Sequence, residues 1–228
     1  MTKKTVGILG GMGPEATADL FMKIIKATPA RKDQEHLRVV MDSNPEIPDR
    51  TAFILGKGED PRPLLLAGAK NLERLGASFI VIPCNTAHFF HKDIQDAVSI
   101  PVLNIMEEVS RYLSGKLQKA GLLASTGTLS TRLYENALAR HGIGTVLPQG
   151  FDQDEVMKAI YAVKAGDLDT GRRIALEQGR KLEAAGAQAV IAGCTEIPLV
   201  LKDGDLGVPV VDATTILAQS AVRFATTG

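Results

Sequence analysis

Tryptophan is absent from this 228-residue chain, and aromatic residues of all kinds make up only 4% of it. Stacking platforms for single-stranded nucleic acid are therefore missing. An excess of charge of either sign is missing too, since 26 Lys plus Arg balance 26 Asp plus Glu. Without a basic surface to displace counterions, no nucleic acid and no anionic membrane is expected as a partner. No apolar run approaches the length of about 18 residues that a membrane-spanning helix needs. Lys3 and Lys4 precede an apolar stretch too short and too glycine-broken for a secretory signal, so a cytoplasmic location is expected. Two cysteines make no disulfide framework and read as free thiols in a reducing compartment. His36, His88, His91 and His141 are the only histidines, too few and too scattered to predict a metal site.

What is present is an ordinary globular composition, 45% hydrophobic with a mean hydropathy of +0.06. Short apolar runs at Val6 to Leu9, Val39 to Met41, Phe79 to Ile82, Val102 to Leu103, Gly121 to Ala124, Val190 to Ala192 and Val210 to Val211 read as buried strands. Helical periodicity fits Glu15 to Lys26, Pro63 to Leu75, Glu107 to Leu117, Leu129 to His141, Asp154 to Ala165, Asp169 to Ala185 and Thr215 to Phe224. Strands that alternate with helices imply βαβ units and a mostly parallel sheet, so the expected fold class is α/β.

An internal repeat refines this. Residues 72–84 align without gaps against 182–194, with identical Leu, Glu, Gly, Ala and Cys at matching places. Gly7-Ile8-Leu9 and Gly13 match Gly121-Leu122-Leu123 and Gly127, and Ile100-Pro101-Val102-Leu103 matches Val208-Pro209-Val210-Val211. The chain therefore reads as two copies of one α/β unit. The expected domains are 1–103 plus 212–228, and 104–211. Each cysteine, Cys84 and Cys194, closes an apolar strand, where the carboxyl edge of a parallel sheet gathers ligand-binding groups. Copies facing each other about an approximate two-fold axis would bring both thiols to one cleft.

Several motifs surround these thiols. Gly11, Gly13 and Ala16 satisfy the G-x-G-x-x-A pattern of dinucleotide sites, but Asp42 lies 29 residues after Gly13 rather than about 20 after the glycines. The loop around Gly11 and Met12 reads instead as backbone donors and a helix N-terminus for a carboxylate. Cys84-Asn85-Thr86 and Cys194-Thr195-Glu196 can each start a helix with Asn85 or Thr195 near the cap, which would lower the thiol pKa. Ser125-Thr126-Gly127-Thr128 is the second copy's counterpart of the glycine loop and reads as a second cradle, or as an ordinary cap. Arg50 can fork onto a carboxylate, while Lys164, at a helix end, can simply complement the dipole. His88, four residues after Cys84, can form a nucleophilic dyad with it.

Taken together, Gly-Gly-Met-Gly-Pro at 10–14, Ile-Pro-Asp-Arg-Thr at 47–51, Pro-Cys-Asn-Thr-Ala-His at 83–88, Ser-Thr-Gly-Thr at 125–128 and Gly-Cys-Thr-Glu at 193–196 resemble the cofactor-independent aspartate/glutamate racemase family. The resemblance runs over essentially the whole chain. It implies two similar α/β domains with the site between them, a homodimer, aspartate as substrate, and no cofactor or metal. It also implies that Arg50 and Lys164 hold the substrate's side-chain carboxylate.

Racemisation removes the α-hydrogen on one face and returns one on the other, which Cys84 and Cys194 can do as a thiolate and thiol that swap roles. The resulting enolate dianion needs preorganised donors, and Asn85, Thr86 and Thr195, supported by Gly11, Met12, Ser125, Thr126 and Thr128, are the candidates. Glu196, opposite Thr86 in the repeat, is expected to bind the substrate ammonium. The alternatives are glutamate or broader-specificity racemisation, and a Cys84/His88 hydrolase.

Overall fold

The computed structural model describes residues 3–227, which divide into two compact units. The first holds the residues up to Glu108 together with those from Thr214 on, and the second is Val109–Ala213. Both are built on a wholly parallel sheet flanked by helices.

In the first unit, β1 (Val6–Gly10) is central between β2 (Val39–Ser43) and β3 (Phe79–Val81). Every residue of β1 and β3 is buried, as expected of parallel strands covered on both faces. Helices α1 (Pro14–Ala27), α2 (Arg50–Ile54), α3 (Arg62–Arg74) and α4 (His91–Asp96) belong to this unit. So does nearly all of α11 (Ala213–Thr226), whose Phe224 meets Phe79 edge-on at 4.8 Å between ring centres. Leu9, Leu65, Ala69, Leu72, Ile80 and Ile82 are among the residues of the core. The strand expected at Val102 to Leu103 is reduced to one parallel bridge between Val102 and Ile80.

In the second unit β4 (Lys119–Leu123) is central, with β5 (Gly144–Val146) on one side and β6 (Val190–Ala192) then β7 (Val210–Asp212) on the other. The helices here are α6 (Thr126–Ser130), α7 (Leu133–Ala139), α8 (Phe151–Lys164), α9 (Leu168–Ala184) and α10 (Ile197–Val200). Helix α5 (Ile105–Leu113) runs across the boundary between the units. The helix expected over Leu129 to His141 is broken in two, because Arg132 adopts a left-handed φ of 53° between α6 and α7. Strand β5 was not foreseen, its Gly-Thr-Val being too short and too polar to stand out. Among the described residues no helix is long and apolar enough to cross a membrane.

The repeated residues have a common physical cause. Gly76 and Gly186 take φ of +85° and +91°, the left-handed conformation that ends α3 and α9. The next amide in each case, of Ala77 and Ala187, returns to the carbonyl of Leu72 and Leu182. Those alanines then press on the central strand. A Cβ on Gly7 would lie 2.9 Å from Ala77 Cβ, and one on Gly121 would lie 3.1 Å from Ala187 Cβ. The helix end thereby places the third strand of each unit, and with it the cysteine beyond. Gly121→Ala should lower stability by about 1–3 kcal/mol through overpacking against Leu182 and Ala187, read as a lowered urea midpoint.

Candidate active site

The register Ile8↔Val81 brings the loop after β1, with Gly11, and the loop after β3, with Cys84, out at the same carboxyl edge. Met12, Ile47 and Cys84 share one buried cluster. Arg50, the first residue of α2, donates from Nη1 to the carbonyls of Ile47 and Pro48, both at 3.1 Å, and from Nη2 to the carbonyl of Met12 at 3.3 Å. Its Nε is buried with no hydrogen-bond partner, and no carboxylate among the described residues pairs with it. A half-buried guanidinium whose charge meets only carbonyl dipoles is a fitting partner for an anion. Asp49 caps α2 by accepting from the Ala52 amide at 2.7 Å, and Phe53 of α2 lies 5.7 Å from Phe90. The arginine is thus braced on the turn that follows Cys84.

Cys84, Asn85 and Thr86 are all buried at the start of that turn, Thr86–Phe90, but the Asn85 side chain makes no capping bond. His88 does not serve the thiol. Its Nδ1 lies 2.9 Å from the carbonyl oxygen of Cys84, and its Nε2 accepts from the Ile105 amide at 3.2 Å. Nδ1 therefore carries the proton and donates it to the carbonyl. With both nitrogens on backbone groups, the imidazole ties the Cys84 loop to the start of α5, and the dyad expected for a hydrolase is not formed. Burial pushes His88 down to about 4, so it is neutral near pH 7.

In the second unit Leu123 pairs with Ala192, so Ser125 and Cys194 leave adjacent strands at the same level. Ser125 caps α6, accepting from the Thr128 amide at 3.2 Å, with its hydroxyl 3.1 Å from that of Thr128. The Thr126 amide donates to the Met157 sulfur at 3.2 Å, and Gln153 Nε2 donates to the Ala124 carbonyl at 3.0 Å and to Thr126 Oγ1 at 3.2 Å. Sequence reasoning missed Gln153 and Met157, which buttress this loop from α8.

Cys194 departs from expectation. Its thiol donates to Glu196 Oε2 at 2.9 Å, the Thr195 hydroxyl donates to the same oxygen at 3.3 Å, and Lys164 Nζ lies 3.3 Å from Oε1. The carboxylate expected to bind an ammonium from substrate thus receives a thiol, a hydroxyl and the ammonium of Lys164. Burial, then the Glu196 charge and hydrogen bond, push the Cys194 thiol well above its usual range, with Lys164 opposing. The helix-terminus effect expected to lower it is outweighed, since α10 is only four residues long and begins beyond Glu196. Tyr134, fully buried, was also missed: its ring edge abuts Gly193, and Asp212 and Cys194 both act on its phenol, which burial keeps protonated. Asp212 ends β7, a strand-end position that could have signalled it.

Two α/β units, each with a cysteine just past its third strand and polar loops at the same sheet edge, define a repeated scaffold. The chain belongs to the Asp/Glu/hydantoin racemase family, whose sequence profile it matches over residues 9–221. It is 29% identical over 224 residues to the broad specificity amino-acid racemase RacX of Bacillus subtilis (strain 168), covering 95% of this chain and 96% of that protein. It superposes on the aspartate racemase of Picrophilus torridus with a TM-score of 0.89 and 33% identity, over 97% of this chain and 94% of the other. An aspartate racemase homologue from Pyrococcus horikoshii OT3 gives a TM-score of 0.79 at 27% identity, over 98% and 99% of the two chains.

The folded chain declines a proton at His88 that the unfolded chain accepts below about pH 6.5, so stability falls as pH drops from there through about 4. The loss should reach about 2 kcal/mol at about pH 5. Denaturation midpoints across this range check it, and His88→Phe should lower the midpoint at neutral pH while flattening the acid decline.

Proposed function

We propose that this protein interconverts L- and D-aspartate by direct proton transfer, with Cys84 and Cys194 as the two acid–base groups and no cofactor. The observation that carries this reading is the equivalence of the two thiols, each just past the third strand of its own unit. The match to an aspartate racemase along nearly the whole chain supports the substrate assignment.

One cysteine, as thiolate, takes the α-hydrogen, and the other, as thiol, returns a proton to the opposite face. Charge flows into the α-carboxylate, and the dianionic enolate is stabilised by fixed donors. The buried Asn85, Thr86 and Thr195, with the amides around Gly11, Met12, Ser125, Thr126 and Thr128, supply them. Arg50 and Lys164 bind the carboxylates of the substrate. A homodimer is the working form, the state expected on gel filtration.

The similarity to RacX favours a second reading, in which several amino acids are accepted. One methylene between aspartate and glutamate separates them by only about 1–3 kcal/mol in a pocket. The hydrolase alternative loses support because His88 is engaged with backbone on both sides.

Incubation with L-aspartate in heavy water should yield D-aspartate deuterated at the α carbon, followed by chiral chromatography and mass. Cys84→Ala and Cys194→Ala should each reduce racemisation by about 10²-fold or more; near-wild-type rates in either would overturn the two-thiol mechanism. Arg50→Ala and Lys164→Ala should impair aspartate far more than alanine, and equal losses would refute dicarboxylate recognition.

A further inference from the structure

The position of Glu196 poses a question about how Cys194 ever becomes a base. An ordinary thiol is only about 3% ionised at pH 7, and the surroundings of Cys194 move it the wrong way. Glu196 and Lys164 act on this sulfur, and the polar and titratable groups around it come from several elements. Glu196 and Thr195 lie in the loop before α10, Lys164 ends α8, Tyr134 comes from α7, and Asp212 of β7 stands by the Tyr134 phenol. Of these, only Lys164 is a cation, and it bonds to the carboxylate oxygen that the thiol does not use.

We propose that Glu196 is the proton acceptor for Cys194 and that Lys164 gates the transfer: with the ammonium on Oε1 the proton stays on sulfur, and when a substrate carboxylate draws Lys164 away the proton passes to Oε2. The S–H bond of Cys194 breaks and an O–H bond forms on Glu196, so the pair keeps its single negative charge and needs no other reactant. Lys164 bonds directly to the carboxylate and acts on the sulfur only through space. Its withdrawal therefore removes more stabilisation from a negative charge on the carboxylate than from one on the sulfur. Thr195, on the same oxygen as the thiol, holds the carboxylate in line. The thiolate forms at the moment a ligand is present to use it, and departure of the carboxylate lets Lys164 return and the proton go back to sulfur. The identity of the gating ligand rests on the dicarboxylate reading above; the gate itself does not.

The test uses the full chain with Cys84→Ala, or Cys84→Ser where alanine folds poorly, so that the ultraviolet absorbance of thiolate reports Cys194 alone. Succinate, a dicarboxylate with no amine, serves as probe, with its binding followed by calorimetry. Near pH 7, saturating succinate should raise the thiolate fraction roughly tenfold. Glu196→Gln in the same background should bind succinate and show no rise. Lys164→Met, or Lys164→Gln, should show the raised fraction without any ligand. A thiolate fraction no higher in both Lys164 variants, or an equal succinate-induced rise in the Glu196→Gln protein, overturns the gate. Raised thiolate in the Lys164 variants with no succinate binding to the Cys84→Ala protein supports the gate and overturns the dicarboxylate reading instead.

Discussion

The contact between one helix end and one central strand governs the rest of this structure. In each unit a helix stops at a left-handed glycine, and the alanine after it is pressed into the space left by a strand glycine. A Cβ at Gly7 would clash with Ala77 and one at Gly121 would crowd Ala187, so each pair favours one height for the third strand in its sheet. Because parallel pairing then carries that height to the carboxyl edge, each cysteine is delivered beside the loop that follows the first strand. The strand that leads to each thiol is thus positioned by packing of the smallest side chains.

The polar groups at those edges are used in two contrasting ways. In the first unit the cationic and titratable side chains of the site, Arg50 and His88, are engaged with backbone groups. The arginine is spread over three carbonyls, and the neutral imidazole is spent on a carbonyl and an amide. In the second unit a carboxylate sits against the thiol, with an ammonium on its far oxygen. Neutral dipoles cost little to bury when paired, whereas a buried carboxylate demands partners of its own. This explains why Glu196 gathers three donors around it.

Much of the scaffold was legible in the sequence because parallel strands covered on both faces must be continuous apolar runs, and because Leu-Glu-x-x-Gly-Ala spells a helix end wherever it recurs. What was hidden depends on through-space partners. Strand β5 offers only Gly144, Thr145 and Val146, and Arg132 breaks a periodic helix with a conformation that arginine rarely adopts. The cysteines, the glycine loop and Arg50 stood out by motif. Gln153, Met157, Tyr134 and Asp212 did not, since each meets its partner, a loop, the thiol or the Tyr134 phenol, from an element remote in sequence. The direction of the shift at the Cys194 thiol was misjudged because burial raises it first, and a carboxylate two residues on then folds back onto the sulfur.

The repeat sets Thr86 where the second unit has Glu196, so the two halves of the chain surround their sulfurs with unlike chemistry. Mirror-image molecules have equal free energy in water, and no catalyst can alter that. In a racemase the ratio kcat/KM must therefore be the same in both directions, however lopsided the protein. The inequality between a thiol beside a hydroxyl-bearing residue and one beside a carboxylate can show itself only in how each direction divides that common ratio, with a faster turnover on one hand matched by a proportionately weaker apparent affinity.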